Sequence, residues 1–99
     1  MSKAVWLISF KLKADASVED FLIASEKVHN EVLSKQPGFI DWKVLRNKEV
    51  WVDLITWETM EYAKKGEKAG AGNPLAKDFY SYMDYKSIKM QRFFLEKDY

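Results

Sequence analysis

The sequence has no cysteine, only two prolines and four glycines, and a single histidine among its 99 residues. Without cysteine the chain can form no disulfide bridge, thiolate metal site or cysteine nucleophile. It also has little net charge, because 16 Lys and Arg residues offset 15 Asp and Glu residues to leave +1. A function that depends on a basic surface, such as binding nucleic acid or a membrane surface, is therefore not expected.

Long apolar runs are lacking too. The N-terminal run over residues 4–10 leads into Lys11 and Lys13 and has no small-residue cleavage site after it, so it does not resemble a signal peptide. No stretch reaches the roughly 18 apolar residues of a membrane helix. We therefore expect a cytoplasmic protein in which residues 1–99 form one domain of ordinary size.

Aromatic side chains are abundant, since six Phe, five Tyr and four Trp make up 15% of the chain. The spacing of apolar residues predicts the secondary structure around them. Alternation over residues 4–12 predicts a first strand with its even-numbered residues on one side. Apolar steps of three and four residues after an N-cap at Ser17 predict a helix to about Lys35, which Gln-Pro-Gly at residues 36–38 ends.

A hairpin of two strands follows, over residues 39–46 and 50–57. Asn47, which tolerates a positive φ, and Lys48 are expected to form its turn, and this pairing sets Trp42 opposite Asp53. One face is then predicted to carry Ile40, Trp42, Val44, Trp51, Asp53, Ile55 and Trp57. The other face is also largely apolar, and starts with Phe39. An antiparallel sheet usually leaves one face to water, so we expect something beyond the chain's own helices to cover the second face.

The rest of the chain predicts a second helix, over residues 58–68, and a last strand over residues 85–95. Three glycines are expected to break the helix: Gly66, Gly70 and Gly72. Asn73-Pro74 restarts it, because Asn caps a helix and Pro fits its first turn. We interpret the glycine segment as a flexible lid, because the phosphate-binding pattern G-x-x-x-x-G-K-[ST] follows a strand and this segment follows a helix.

The predicted order β-α-β-β-α-β indicates a ferredoxin-like α+β sandwich, a four-stranded antiparallel sheet with two helices on one face. This fold serves many functions. An RNA-binding function is not indicated, because the third strand, residues 50–57, has no Lys, Arg or Gly and carries an acid.

Four short landmarks refine this prediction: Phe-Lys-Leu-Lys at 10–13, Gln-Pro-Gly-Phe at 36–39, Thr-Trp-Glu at 56–58 and Asn-Pro at 73–74. In their order and spacing the chain resembles the dimeric α+β barrel superfamily, and within it the antibiotic biosynthesis monooxygenase-like domains. The resemblance implies a homodimer in which two sheets pack face to face with the helices outside. It also implies a cofactor-independent monooxygenase for aromatic, polyketide-like substrates; the alternative is a non-catalytic homodimeric binding module linked to stress or regulation.

Haem-degrading members of that group use an Asn on the first strand, and a Trp and a proximal His on the second helix. Here residues 4–12 contain no Asn, and residues 58–83 contain neither Trp nor His. We therefore expect no haem or other cofactor. No metal site is expected either, because the lone His29 has no second ligand at a suitable spacing.

Asp53 is the most informative candidate, because it is an acid within an otherwise apolar strand. A buried carboxylate is costly unless it finds a partner or stays protonated. In one interpretation it pairs with Arg46, Lys43 or Arg92. In the other it lies in a pocket as a base of raised pKa, suited to deprotonating a phenol.

The remaining candidates each have a structural and a functional interpretation. The tryptophans belong either to the core and dimer interface or to a pocket wall on which a planar ligand stacks, and the tyrosines border the glycine segment. His29 is either a boundary residue with one hydrogen bond or a general base. The predicted catalytic residues are Asp53 and His29, and the predicted substrate-binding residues are Trp57, Trp42, Trp51, Tyr62, Tyr80 and Tyr82.

Overall fold

Four antiparallel strands form a single sheet in the computed structural model, which describes residues 2–99, and their spatial order is β2-β3-β1-β4. In chain order they are β1 (Ala4–Phe10), β2 (Phe39–Asn47), β3 (Val50–Trp57) and β4 (Lys89–Phe94). The helical elements are α1 (Val18–Glu31), a 3-10 turn (Leu33–Lys35), α2 (Met60–Gly70), α3 (Pro74–Ser81) and a second 3-10 turn (Tyr85–Ser87). The predicted ferredoxin-like α+β fold is confirmed, with its second helix in two pieces.

The helix starts are those that the capping residues predict. The Ser17 hydroxyl accepts a hydrogen bond from the backbone N–H of Asp20 at 3.2 Å, and Oδ1 of Asn73 accepts one from the N–H of Leu75 at 2.9 Å. The first and the last strand in the chain, β1 and β4, are shorter than expected. β1 ends at Phe10, and β4 starts at Lys89, because Asp84 caps the 3-10 turn that precedes it.

The β2–β3 hairpin differs from its predicted register. Asn47 pairs with Val50, so the turn consists of Lys48 and Glu49, and Lys48 has the positive φ of 57° that was expected of Asn47. Trp42 consequently lies opposite Ile55 and not opposite Asp53. The shift is by two residues, so Trp42 and Asp53 keep their predicted face.

A β-bulge between Phe39 and Asp41 overturns the predicted faces at the start of β2. The extra residue turns Phe39 towards the helices, where its ring centroid lies 5.7 Å from that of Trp57. Ile40 is turned outwards and is 38% exposed. A bulge changes which residues share a face, and simple alternation does not anticipate it.

The second helix breaks later than predicted, because Gly66 lies inside α2. A Cβ at Gly66 would come within 2.5 Å of Cζ2 of Trp57, so this glycine lets the helix pack directly on the indole. The break is a type II turn from Gly70 to Asn73, closed by a 3.1 Å bond from the Asn73 N–H to the Gly70 carbonyl. Gly72 supplies the φ of +79° that this turn requires.

The hydrophobic core lies between the sheet and the helices. Phe21 of α1 is at its centre, with ring centroids 5.6 Å from Phe10, 5.2 Å from Trp51 and 5.1 Å from Phe79 of α3. On the opposite face of the sheet, half-buried apolar side chains such as Leu7 and its paired neighbour Leu54 form the centre. No helix within residues 2–99 is both long and apolar enough to cross a membrane.

Replacing Gly66 with Ala should destabilise the protein, because the added methyl group must displace either α2 or the fully buried ring of Trp57. Overpacking of this kind costs about 1–3 kcal/mol, which urea denaturation would measure. Gly70→Ala in the same helix is the matched control, since a Cβ there has no atom within 4 Å. Equal stability of the two variants would contradict the role given to Gly66.

Candidate active site

A cavity of about 530 Å³ lies between the helix-facing side of the sheet and the α2–α3 segment. Its sheet wall is made mainly of large side chains, among them Trp6, Ile8, Trp42, Asp53 and Ile55. Its α2–α3 wall includes Gly66, Gly70, Ala71, Gly72 and Ala76. The same wall also carries larger side chains, namely Glu67, Lys77, Phe79 and Tyr80. The sheet wall is therefore broad and mainly apolar, whereas the α2–α3 wall has a stretch of glycine and alanine beside these larger residues.

Asp53 is the acid on the sheet wall. It lies in the middle of β3, between Ile8 of β1 and Val44 of β2, and is 1% exposed. Because side chains alternate along a strand, it shares the helix-facing side with Trp51, Ile55 and Trp57, which are all buried. The strand pattern thus forces a carboxyl group into the apolar layer.

The three basic residues considered as partners for Asp53 all bind elsewhere. Lys43 pairs with Asp41 on the opposite face at 3.1 Å. Arg92 contacts both carboxylate oxygens of Glu67 at 2.6 Å. Arg46 lies over the ring of Trp51, 4.8 Å from its centroid, and donates to the carbonyl of Lys48. The ion pair that the sequence suggested for Asp53 is replaced by these contacts.

The carboxyl group of Asp53 has a raised pKa. Its buried Oδ1 has no hydrogen-bond partner among residues 2–99. Burial raises the pKa from 3.8 to about 7, and the nearby indole N–H of Trp42 opposes this rise only in part, since it does not reach full hydrogen-bond geometry. At neutral pH Asp53 can therefore hold or release a proton, which is the property a general base requires.

Tyr80 of α3 lines the same cavity and stacks edge-on against Phe79, with ring centroids 5.4 Å apart. The residue is 36% exposed. Burial raises the pKa of its hydroxyl, and the negative charges of Asp53 and Glu67 raise it further. The phenol thus keeps its proton at neutral pH and is available as a hydrogen-bond donor beside Asp53.

The predicted residues Asp53, Trp42 and Tyr80 are brought together at the cavity, whereas the other two tryptophans lie in the core. Trp57 is 0% exposed and packs beneath Gly66, with its ring centroid 5.1 Å from that of Trp6. Trp51 is buried against Phe21. Neither indole lines the cavity, and Trp57 lies behind the lining residues Trp6 and Gly66.

Tyr62, Tyr82 and His29 also lie away from the cavity. Tyr62 packs over Gly38, and Tyr82 lies edge-on to Phe21 at 6.3 Å. Nδ1 of His29 is 2.9 Å from Oδ1 of Asn30, its one hydrogen bond in the described chain. In residues 2–99 no group of three or more His, Asp or Glu side chains is arranged to hold a metal ion.

Two cavity features were not predicted from the sequence. Trp6 lines the cavity, and the strand alternation that places it beside Ile8 and Asp53 was a sufficient signal for it. The second is Glu67, tied to Arg92 on the far edge strand. A pair of residues so distant in sequence leaves no local pattern to detect.

Comparisons with known proteins show which solved structures share this fold. No protein-family model and no curated protein sequence matches the chain. Solved structures do match it across its whole length. A mutant of SnoaB, a cofactor-independent oxygenase from Streptomyces nogalater, superposes with a TM-score of 0.81 at 13% identity, covering 99% of this chain and 97% of that chain.

Two further structures show the breadth of this fold. A dimeric ferredoxin-like protein from an uncultured marine organism has a TM-score of 0.76 at 13% identity, covering 100% of this chain and 92% of its own. A haem-degrading protein from Mycobacterium tuberculosis has a TM-score of 0.67 at 18% identity, covering 99% and 96%. The resemblance to antibiotic biosynthesis monooxygenase-like proteins is thereby confirmed at the level of the fold.

The residues of this cavity do not fit haem. The α2–α3 segment, residues 60–81, contains no histidine to bind the iron. His29, the one imidazole of the chain, packs instead against Phe39 with ring centroids 5.6 Å apart. The cavity contains instead the buried carboxyl group of Asp53, whose Oδ1 has no hydrogen-bond partner among residues 2–99. Such a group suits a ligand that has a proton to donate.

Asp53 should make the protein less stable as the pH rises. Between the ordinary pKa of 3.8 and the folded value of about 7, the unfolded chain has released a proton that the folded chain still holds. The free energy of unfolding therefore falls from about pH 4 to about pH 7 and is level above that. The gap between the two pKa values corresponds to about 4 kcal/mol.

Comparison with Asp53→Asn isolates this effect, because all other titrating groups are common to both proteins. We expect the stability of the wild type relative to the variant to decline across that pH range, as measured by urea denaturation at several pH values. Parallel stability curves for the two proteins would contradict a raised pKa at Asp53.

Proposed function

We propose that the chain is a cytoplasmic, homodimeric enzyme that oxygenates a small planar aromatic substrate without a cofactor, with Asp53 as the general base. One observation carries this proposal: a carboxyl group with a pKa of about 7 is buried in an aromatic cavity and has no basic partner among residues 2–99. The fold shared with SnoaB, a cofactor-independent oxygenase, supports it. The substrate class we propose is a phenolic, polyketide-like ring system.

The cavity suits this substrate class by its shape and chemistry. Trp6 and Trp42 offer broad apolar surfaces on the sheet wall, on which a flat ring can pack. The opposite wall is low where it consists of glycine and alanine, at residues 70–72. Few polar groups converge on an otherwise apolar pocket, as is usual for small-molecule sites, and here Asp53 and Tyr80 are two of them.

The proposed reaction needs only the substrate and molecular oxygen. Asp53 takes a proton from an acidic methylene beside a phenolic ring, and Tyr80 donates a hydrogen bond to the oxygen on which the negative charge collects. The anion passes electrons to O₂ and a C–O bond forms, giving a hydroperoxide once it is protonated. Loss of water then leaves a carbonyl, so the methylene carbon is oxidised, while O₂ is reduced to one carbonyl oxygen and one water.

The homodimer would form through the open face of the sheet. Leu7 and Leu54 are paired at its centre, and Phe93 of β4 lies beside Val5 and is still 45% exposed. An apolar face of this kind is usually an interaction surface. The dimeric ferredoxin-like neighbour supports a second copy of this chain as the partner.

Activity is tested with 1,8-dihydroxyanthrone as the probe, because its methylene is acidic and its oxidation to the anthraquinone changes the absorbance. In air-saturated buffer containing a chelator, we expect one O₂ consumed per molecule converted, at a rate that rises with pH through about 7 as Asp53 loses its proton. Asp53→Asn should lower kcat/KM by about 10²–10⁴-fold, the usual contribution of a general base.

Asp41→Asn is the matched control, because Asp41 lies on the same hairpin but pairs with Lys43 outside the cavity. Its activity should equal that of the wild type. If wild type and Asp53→Asn converted the probe equally, Asp53 would not be the base. If the protein bound the probe but never converted it, a non-catalytic binding module would be the better description.

The dimer is tested by light scattering after size-exclusion chromatography. We expect the wild type to have about twice the chain mass of 11.6 kDa, and Leu54→Glu to be monomeric because it places a charge in the centre of the interface. Ile23→Glu is the control, since Ile23 is an exposed apolar residue on α1. A monomeric wild type at micromolar concentration would contradict the proposal.

A further inference from the structure

Three of the four glycines in the chain line the cavity, namely Gly66, Gly70 and Gly72. The fold explains two of them. Gly66 leaves room for the ring of Trp57, and Gly72 has the positive φ of the type II turn. A side chain at either position would disturb the structure whether or not a ligand binds.

Neither of these two reasons, room for a neighbouring ring or a positive φ, applies to Gly70. Its φ is not in the left-handed region, and a Cβ built on it meets no atom within 4 Å. It is the last residue of α2, where alanine is the better helix former, and the first position of a type II turn accepts most residues. Its neighbour Ala69 is exposed and does not line the cavity, whereas Gly70 is half-buried and does line it.

We infer that Gly70 determines which ligands the cavity accepts, by leaving room for a ring system of more than one ring. Gly70 lines the cavity whose sheet wall includes Trp6, Trp42 and Asp53, and the position of a Cβ on it is open space, so a larger side chain there has room to occupy part of the cavity. The inference rests on the proposed function, because it takes the ligand to be planar and aromatic. It adds to that function by assigning the upper limit on ligand size to one residue, Gly70.

The test measures binding of aromatic probes of increasing size to the whole chain. Phenol, 2-naphthol and 1,8-dihydroxyanthraquinone have one, two and three rings, and their binding is followed by quenching of tryptophan fluorescence. Gly70→Leu should raise the Kd of the three-ring probe at least tenfold and leave that of phenol within twofold. Ala69→Leu adds a similar side chain one residue away on the exposed side, and should change neither Kd by more than twofold.

Gly70→Ala separates a role in specificity from a role in folding. Since alanine favours the helix and meets no atom there, this variant should have a Tm higher by roughly 2–8 °C. At the same time it should bind the three-ring probe at least threefold more weakly. A higher Tm with an unchanged Kd would mean that Gly70 has no part in ligand selection, and so would a Gly70→Leu protein that is folded and binds every probe like the wild type.

The outcomes distinguish this inference from the proposed function. If size selection depends on Gly70 but Asp53→Asn leaves turnover unchanged, the inference holds and the assigned base is wrong. If turnover requires Asp53 but the Gly70 variants select no differently from the wild type, the inference is wrong and the proposed function holds. If the wild type binds none of the three probes, both are wrong.

Discussion

The central constraint on this structure is the position of β3 between two other strands. β3 pairs with β1 on one side over residues 51–57 and with β2 on the other over its whole length. A slip by one residue would therefore expose the core residues Trp51, Ile55 and Trp57. Asp53 lies on the same side as these residues and has to be buried with them. The raised pKa of its carboxyl group is therefore a consequence of the packing of the apolar residues around it.

Much of this architecture could be predicted from local patterns, and the deviations have physical causes. Alternation reports which face a side chain occupies but not the register, so Trp42 was assigned the correct face and the wrong partner across the hairpin. A glycine signals either a break in a helix or a close approach of two elements. The sequence alone predicts that Gly66 breaks the helix, whereas the indole of Trp57 beneath it shows that Gly66 allows a close approach.

The candidate site was less predictable, because it depends on contacts between distant elements. The apolar setting of Asp53 in the sequence indicated a buried carboxyl group, but left open whether it pairs with a basic residue or has a raised pKa. Nothing local indicated that Arg92 would bind Glu67 instead of Asp53. For the same reason the tryptophans could be placed on a face of the sheet, but the sequence alone did not separate Trp42 at the cavity from Trp57 behind it.

The three glycines in the cavity wall restrict how the site can change during evolution. Gly66, Gly70 and Gly72 are already the smallest residues possible, so no substitution at these three positions can enlarge the cavity. A larger cavity has to come from truncating the larger side chains that line it, such as Trp6, Trp42 and Phe79, and Trp6 and Phe79 also belong to the buried core. Descendants of this protein can therefore acquire a narrower ligand range by single substitutions, whereas a wider range has to be gained at the expense of stability.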